Sequence, residues 1–266
     1  MRNSHCLSSD TCQRYSYIRR YDLGELDNPD VHSFSRLSYI NRLEWIIQLI
    51  SDTIPPPARV IDWGCAQGNM GLTLAEMGYA VVAADLRHDF LLYSREKYEY
   101  GKIDWIVGNI EYNCFRPASS DVVLLCELLE HCAYPEAILI AAASSLREGG
   151  IIVVTTPNGE YIRHHLPSFR SVRDGDRGLL AQRQYGPDGT DHLFLYSGEE
   201  LHELRPPGTS IHKWGYMGSI LLSGRLAKCL KMFSEERIKR IVRRFERRKG
   251  VARRLSTGLY CVYVKN

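Results

Sequence analysis

The chain has 266 residues, of which 44% are hydrophobic, so it can form one α/β domain with an appended subdomain. Its formal net charge of +3 is too small to identify a nucleic-acid or membrane partner by itself. Residues 1–20 lack the apolar core of an export signal, and no run approaches the roughly 18 apolar residues of a membrane-spanning helix. We therefore expect a cytoplasmic protein without a transmembrane segment.

The cysteines show neither a CxxC pair nor zinc-like spacing, although there are 8 of them. Several lie inside apolar strand patterns, where a free cysteine behaves as a small hydrophobic residue. We expect reduced thiols rather than a disulfide framework or a cysteine-based metal site.

Residues 1–40 are polar with interspersed aromatic side chains, which predicts a mobile or lid-like N-terminal extension ahead of a domain at 41–266. An apolar helical segment at 43–50 is stopped by three consecutive prolines. Strand and helix patterns then alternate, which is typical of a parallel sheet with helices on both faces. The predicted strands are 59–63, 80–85, 103–107, 121–126 and 151–155, and the predicted helices are 69–77, 89–99 and 135–146.

The alternation stops after Pro157, where residues 158–196 form a predicted insertion. Long insertions in compact domains are usually functional or disordered. Ser197 and Glu200 have the spacing of a capping box, which predicts the start of a helix. The remaining elements are predicted as a helix at 198–204, strands at 210–216 and 257–264, and a helical insertion at 219–254.

Residues 60–69 have the sequence Val-Ile-Asp-Trp-Gly-Cys-Ala-Gln-Gly-Asn, a buried strand that ends in an acid and turns through a glycine loop into a helix. A second apolar strand ends in Asp85, about 20 residues on, where a carboxylate can hold ribose hydroxyls. The pattern predicts a nucleotide-cofactor site. It is not a P-loop, because no Gly-Lys-Ser/Thr follows Gly68. A nicotinamide site is disfavoured, because GxGxxG would need glycine at 67 or 69, where Gln67 and Asn69 stand.

Five motifs in order resemble the class I S-adenosylmethionine-dependent methyltransferases over residues 40–266. They are Asp62-x-Gly64-x-Ala66-x-Gly68, Asp85, the Val-Gly-Asn-Ile of 107–110, the segment 121–131 that ends in Glu127-x-x-Glu130-His131, and 146–150 leading into Thr-Thr-Pro-Asn at 155–158. The resemblance implies an α/β fold with a Rossmann-like seven-stranded sheet and helices on both faces. The N-terminal extension and insertions after strands five and six would be added to it.

The resemblance also implies S-adenosylmethionine as the cofactor. Asp62 would serve its amino group, Asp85 the ribose hydroxyls, and Leu86 the adenine face. Ala66 replaces a common glycine, and Asn109 replaces an aspartate near the adenine amino group, where it can still accept a hydrogen bond. The implied cofactor set is Asp62, Gly64, Cys65, Ala66, Gly68, Asp85, Leu86, Asn109, Ile110, Cys126 and Glu127.

The Glu127-x-x-Glu130-His131 segment lies at the end of the fourth predicted strand, where ligands bind in open α/β sheets. It resembles the ubiquinone-biosynthesis O-methyltransferases and, together with His192, the small-RNA 3′-end 2′-O-methyltransferases. The second resemblance implies Glu127, Glu130, His131 and His192 as ligands of a divalent ion such as Mg²⁺ or Mn²⁺. In the metal-free alternative, His131 orients a substrate hydroxyl or acts as the catalytic base, and His192 is another candidate base or a structural histidine. Glu127 then contacts the cofactor, and Glu130 caps a turn.

We expect methyl transfer to a hydroxyl of a small molecule in a biosynthetic pathway. Alignment of the nucleophile with the sulfonium methyl and removal of its proton, by histidine or metal, would supply the catalysis. A nitrogen acceptor stays open, because it needs less help from a base. The alternatives are RNA 3′-end 2′-O-methylation with a divalent metal and a non-catalytic methyltransferase-like binding subunit.

Two further regions have open interpretations. Ile238, Ile241, Val242 and Phe245 recur at helical spacing within the basic segment 237–254, which predicts an amphipathic helix. Its basic face is either solvated, in peripheral contact with anionic lipid, or bound to RNA phosphates. Residues 163–165 (Arg-His-His) either line the acceptor pocket or form a solvated loop, and a lid could include Tyr17, Arg19, Arg20 and Tyr39.

Overall fold

Uninterrupted apolar runs form the centre of the sheet, because parallel strands covered on both faces bury nearly every side chain. In chain order the strands are β1 (Arg59–Trp63), β2 (Ala80–Asp85), β3 (Lys102–Val107), β4 (Ser120–Cys126), β5 (Leu146–Pro157), β6 (Thr209–Met217) and β7 (Gly258–Lys265). Their spatial order is β3-β2-β1-β4-β5-β7-β6, with β7 antiparallel to both of its neighbours. The Rossmann-like seven-stranded α/β sheet is therefore confirmed.

The computed structural model describes residues 1–112, 114–184, 192–222, 230 and 232–266. The predicted insertions at 158–196 and 219–254 thus lie partly outside the described residues. The helices are α1 (Ser9–Arg14), α2 (Ser16–Gly24), α3 (Phe34–Thr53), α4 (Asn69–Glu76), α5 (His88–Lys97), α6 (Pro135–Ser145), α7 (Phe169–Arg173), α8 (Gly178–Arg183), α9 (Gly198–Glu203), α10 (Glu235–Glu246) and α11 (Lys249–Leu255). The predicted capping box is confirmed, since the Ser197 hydroxyl and the Glu200 carboxylate each accept the other residue's backbone amide.

Helix α3 begins nine residues before the predicted segment at 43–50. Its polar first half still carries Leu37 and Ile40 at helical spacing, and both side chains are buried. The helix therefore crosses residue 40, where the extension was predicted to end. None of the described helices is long and apolar enough to cross a lipid bilayer. The seven cysteines within the described ranges are all free thiols.

A buried ion pair joins the N-terminal extension to the domain. Lys97 Nζ donates to Asp22 Oδ2 at 2.7 Å, and the two side chains are 1% and 0% exposed. Asp22 also accepts from the Tyr93 hydroxyl and from the Asn69 side-chain amide, each at 2.8 Å. Because Asn69 begins α4 directly after the glycine loop, this network fixes α2 to the loop.

Asp22→Ala should lower the free energy of unfolding by about 3–5 kcal/mol, because it leaves the Lys97 ammonium buried without its counter-ion. Urea unfolding followed by circular dichroism measures this. Asp10→Ala is the matched control, since Asp10 and Arg14 form an exposed pair with side chains 77% and 63% accessible. Exposed pairs contribute little, so that variant should unfold close to the parent. Equal losses in the two variants would contradict the structural role of the buried pair.

Candidate active site

Two glycines shape the loop after β1. Gly64 and Gly68 both have φ of 77°, in the left-handed region, and a Cβ on Gly68 would overlap the Ser94 hydroxyl. The amides of Gly64 and Cys65 donate to Ala84 O at 2.8 and 3.1 Å. The loop is thereby held against the carboxyl ends of β1 and β2, the edge where open α/β sheets bind ligands.

The Asp85 carboxylate closes this loop. Its Oδ2 accepts the Ala66 amide at 2.8 Å, and its Oδ1 accepts the Arg87 amide at 2.9 Å. Ala66 has φ of 45°, a left-handed conformation that costs a residue with a Cβ roughly 1–2 kcal/mol. The hydrogen bond to Asp85 holds Ala66 in this conformation, which explains how alanine occupies a position where glycine is common.

Asp62, at the end of β1, is a buried carboxyl group with 3% exposure. Burial raises its pKa to about 7, and a hydrogen bond from the Gly71 amide opposes the shift. Its Oδ2 has no hydrogen-bond partner among the described residues. A nearby cation would stabilise the ionised form of this group, because an unpaired buried charge is unfavourable.

A cavity of about 420 Å³ opens beside the loop, within the size range of small-molecule sites. The predicted site residues that line it are Gly64, Ala66, Asp85, Leu86, Ile110, Glu127, His131 and His192. The predicted residues outside this lining are Asp62 and Cys126 at strand ends, Cys65 and Gly68 in the loop, Asn109, and Glu130. The structure thus gathers most of the predicted set around one space.

The side chain of Asn109 forms hydrogen bonds within its own loop. Its Oδ1 accepts the Glu111 amide at 3.0 Å, and its Nδ2 donates to Glu111 Oε2 at 3.4 Å. A carbonyl oxygen has a second lone pair, so the adenine contact stays a prediction. The neighbouring Ile110, 5% exposed, is the part of this segment that lines the cavity.

Several lining residues were not predicted from the sequence. Tyr21 and Glu25 come from the N-terminal extension, and Arg42 comes from α3. Glu25 Oε2 accepts from the Gln67 amide at 3.3 Å, and Arg42 Nη1 lies 3.0 Å from Glu127 Oε2. The sequence signal for Arg42 is its position directly before the apolar segment 43–50. Many solvated arginines have such a position, so this signal does not identify a site residue. The other unpredicted lining residues are Trp63, Gln67, Arg87, Phe90, Gly108 and Leu128.

Charges of both signs meet around Arg42. Burial raises the pKa of Glu25 to about 7, although Arg42 opposes the shift. Burial lowers the pKa of the Arg42 guanidinium, but Glu127 and Glu25 more than offset this and raise it overall. A permanent cation beside two carboxyl groups suits a ligand end that carries both a carboxylate and an ammonium group.

The turn after β4 meets the segment that follows the insertion. Leu193 N donates to Glu130 O at 2.8 Å, although 63 positions separate the two residues. This contact brings the rings of His131 and His192 to a centroid distance of 4.8 Å. Ligand atoms of Glu130, His131 and His192 all lie within 4.8 Å of one another. Three of the four predicted metal ligands therefore converge.

Glu127, the fourth predicted ligand, is directed elsewhere. Its φ of 53° is left-handed, its amide donates to Thr155 O at 2.8 Å, and its carboxylate pairs with Arg42. Glu130 by contrast is fully buried; its Oε2 accepts from the Thr156 hydroxyl at 3.0 Å, while Oε1 has no partner within the described part of the chain. Burial, and then the nearby Glu127, raise the pKa of Glu130 well above its usual range.

A second cavity, of about 450 Å³, adjoins the first. Arg42, Glu127 and His192 line both cavities. Arg163 and His164 also line it, although a solvated loop was the more ordinary interpretation of that segment, and His165 is exposed. The other lining residues are Phe34, Ser38, Pro157, Tyr161, Met217, Gly218, Thr257 and Gly258. The site therefore has two compartments that meet at the Arg42–Glu127 ion pair and His192.

Asp62→Asn should make the stability less dependent on pH. Asp62 has a pKa near 3.8 when unfolded and about 7 when folded, so the folded protein binds an extra proton between these values. The free energy of unfolding therefore falls as pH rises from about 4 to about 7, by at most about 1.4 kcal/mol per pH unit. Asparagine does not titrate and removes this contribution.

Urea unfolding at about pH 5, 6, 7 and 8 measures this effect as the parent's free energy of unfolding minus that of the variant. The difference should fall with rising pH and become constant above about pH 7. Asp89→Asn is the control, because Asp89 is exposed and its variant should track the parent at every pH. An Asp62→Asn protein with the parent's full pH dependence would contradict the assignment.

Sequence comparison shows that the Methyltransferase domain family matches residues 61–154. A ubiquinone biosynthesis O-methyltransferase of Xanthomonas axonopodis pv. citri (strain 306) is 35% identical over 120 residues, which cover 44% of this chain and 49% of that protein. The chain thus spans about half the length of the curated relative that it matches.

Two solved structures show how widely the fold is shared. An S-adenosylmethionine-dependent methyltransferase structure from Listeria monocytogenes has a TM-score of 0.56 at 15% identity and covers 85% of this chain and 99% of its own. The [4+2]-cyclase SpnF has a TM-score of 0.57 at 14% identity, with 86% and 84% covered. Such likeness shows the fold alone, which serves more than one chemistry. Residues 61–154 are thus similar to the Methyltransferase domain family, and the fold of the chain resembles that of S-adenosylmethionine-dependent methyltransferase structures.

Proposed function

We propose that this protein transfers the methyl group of S-adenosylmethionine to a hydroxyl group of a small molecule. The observation that carries the proposal is the junction of the two cavities, where Arg42, Glu127 and His192 face both spaces. Methyl transfer needs the acceptor oxygen in line with the methyl and its leaving sulfur. Two adjoining compartments of about 420 and 450 Å³ support such an arrangement.

The cofactor cavity has a matching group for each end of S-adenosylmethionine. Asp85 would hold the ribose hydroxyls, and the apolar side chains of Leu86 and Ile110 would cover the adenine. The Arg42 guanidinium would bind the carboxylate of the methionine end, since a charged pair of this kind is among the stronger hydrogen bonds. Asp62, buried beside the glycine loop, would be stabilised in its ionised form by the positive charge of the bound cofactor.

An oxygen acceptor requires removal of its proton during transfer. His131 and His192 stand beside each other at the junction, with ring centroids 4.8 Å apart. One imidazole would accept the hydroxyl proton, a contribution of roughly 10²–10⁴-fold to the rate. The curated relative named an O-methyltransferase supports oxygen over nitrogen as the acceptor atom.

The same region fits a divalent cation. One carboxylate and two imidazoles form a donor set known for divalent metals, and the unpartnered Oε1 of buried Glu130 would gain a partner. Glu130, His131 and His192 would hold the ion, and Mg²⁺ or Mn²⁺ are the candidates. When bound, such an ion would lower the pKa of the acceptor hydroxyl and orient it.

An RNA 3′-terminal diol is the competing acceptor, because an ion held by Glu130, His131 and His192 would also bind the paired ribose oxygens. The second cavity favours a small molecule, since a volume of about 450 Å³ is within the size range of small-molecule sites. A non-catalytic role is disfavoured, because the loop, Asp62 and Asp85 are all in place. The same transfer experiment separates these functions.

His131→Ala should reduce methyl transfer by at least about 100-fold while changing S-adenosylhomocysteine affinity by less than about threefold. The assay uses S-adenosylmethionine with a labelled methyl group, a catechol (3,4-dihydroxybenzoate) as acceptor, and a short single-stranded RNA in parallel. His165→Ala is the matched control, because His165 is exposed on a loop near the acceptor cavity and outside its lining. Equal losses of turnover and affinity would remove the catalytic role of His131. Labelling of the RNA alone would replace the small-molecule proposal.

Calorimetric titration of Mg²⁺ and Mn²⁺ into metal-stripped protein saturated with S-adenosylhomocysteine tests the metal site. One ion should bind, and His192→Ala should lose it, because two of three ligands cannot hold a divalent ion firmly. Glu127→Gln should keep the binding within about tenfold, since Glu127 pairs with Arg42 and lies outside the converging group. Loss in both variants would restore the four-ligand set, and no binding would leave a metal-free histidine mechanism.

A further inference from the structure

Helix α10 is attached to the domain by its apolar face. Ile238 and Val242, each 1% exposed, pack with Leu37 of α3 and Leu222 in one buried cluster. Two of the four predicted apolar positions, Ile238 and Val242, are therefore already covered by the protein, whereas Ile241 and Phe245 are half-buried. Because Ile238 and Val242 are packed on the domain, any partner of α10 must be recognised by its outward face.

Cationic side chains at the edges of this packed face form ion pairs with carboxylates of the neighbouring helix. Lys239 lies 2.6 Å from Glu44 of α3, and Glu235 lies 2.9 Å from Arg36 of α3. Arg243 also approaches Glu44, at 3.6 Å. These ion pairs give Lys239 and Arg243 a structural role, because they attach α10 to α3.

The outward face of α10 has a different charge balance. Its arginines line a groove of about 610 Å³ that contains Arg237, Arg240, Ile241, Arg243, Arg244 and Arg247. Arg237, Arg240, Arg244, Arg247 and Arg248 are all exposed, and none has a carboxylate within 4.0 Å in the ranges that the structure describes. Five like charges, three in α10 and two directly after it, are complementary to a surface with many anionic groups.

Ile241 within the groove, and exposed apolar side chains that are close to it in sequence, indicate which anionic surface it fits. Met232, three residues before α10, is 82% exposed, and Val251 in α11 is 46% exposed. A bilayer surface accepts both kinds of group, phosphates for arginines and the acyl boundary for apolar side chains. Single-stranded RNA would instead need exposed aromatic rings. Phe233 and Phe245 are half-buried, and the guanidinium carbon of Arg237 already lies 4.8 Å from the centroid of the Phe233 ring.

We infer that the outward face of α10 docks this protein on a lipid bilayer that carries anionic phospholipids. The arginines lie against the headgroups, and Met232 and Val251 reach the acyl boundary. The contact is peripheral, because the apolar face of α10 stays packed on α3. It is also sensitive to salt, because arginines near a negative membrane surface act through an electrostatic attraction that ions screen.

Both ends of α10 contact residues at or near the acceptor cavity. Phe34, 37% exposed, lines that cavity at the start of α3, and two residues later Arg36 pairs with the first residue of α10. Gly218 also lines the cavity, and its backbone hydrogen-bonds the Glu246 carboxyl at the end of α10. Docking would therefore bring the cavity close to the bilayer, an arrangement that suits an acceptor with an apolar tail. This last consequence rests on the proposed function, whereas the docking does not.

Vesicle flotation of the full chain tests the inference without measuring methyl transfer. Vesicles of phosphatidylcholine alone are compared with vesicles in which roughly one third of the lipid is phosphatidylglycerol, enough for a negative surface potential. The protein should bind the second kind and not the first, and about 0.5 M salt should release it. Equal binding to both kinds, or binding to neither, would overturn the inference.

Charge variants locate the surface. A fourfold Arg→Gln variant at Arg237, Arg240, Arg244 and Arg247 should lose at least about 100-fold in vesicle affinity, since each arginine contributes roughly fivefold. Arg→Lys at the same four positions should keep binding within about tenfold, because the charges remain. The matched control removes four exposed cations elsewhere on the chain, Arg2, Arg14, Lys102 and Arg116, and should bind as the parent.

S-adenosylhomocysteine affinity equal to the parent's shows that each variant is folded. A fourfold glutamine variant that keeps this affinity and still binds vesicles like the parent would overturn the inference. Binding of a single-stranded RNA through the same four arginines, with no vesicle binding, would also overturn it and assign the face to nucleic acid. Failure of the methyl-transfer assay has no bearing on either result.

Discussion

The cofactor cavity depends on one buried ion pair that lies outside the sheet. Asp22 and Lys97 are both almost wholly excluded from solvent, and burial lowers the pKa of Lys97 against the opposing effect of Asp22. Neither charge is tolerable there without the other. Because Asp22 belongs to α2 and also binds Asn69 at the start of α4, the pair fixes a short helix of limited apolar surface in one orientation. Tyr21 and Glu25 enter the cavity as a consequence of that orientation.

Buried carboxyl groups dominate the electrostatics of the site. Burial raises the pKa of Asp62 and of Glu25 to about 7, and it raises that of Glu130 further. Without a cationic ligand, these groups resist ionisation near neutral pH. A ligand that carries a sulfonium and an ammonium group supplies the missing positive charge, so its binding would be accompanied by proton release. Under the proposed function, the site would therefore select its cofactor by charge as well as by shape.

Local patterns predicted the scaffold, and long-range contacts decided the parts that the patterns missed. The strands and the glycine loop follow from apolar runs and backbone requirements within about ten residues, which a sequence displays directly. Arg42 and Glu127 are 85 positions apart, and no local pattern distinguishes their ion pair from two solvated charges. For the same reason the sequence does not separate Glu127 from the other predicted metal ligands, since spacing cannot show that its carboxylate pairs with Arg42 of α3. His192 was found only through a family resemblance, because the Leu193–Glu130 hydrogen bond joins it to the site across the insertion.

The shared scaffold does not determine the chemistry, since a cyclase has the same fold. The second cavity is lined by α3 and by residues that follow β5 and end β6. Helix α3 is common to all three functional regions: Arg42 stands at the junction of the cavities, Phe34 lines the acceptor cavity, and Glu44 holds α10. A packed helix moves as a unit, because its contacts do not deform independently. Under the proposed function and docking, the position of α3 would therefore set the cofactor contact, the acceptor space and the basic face together.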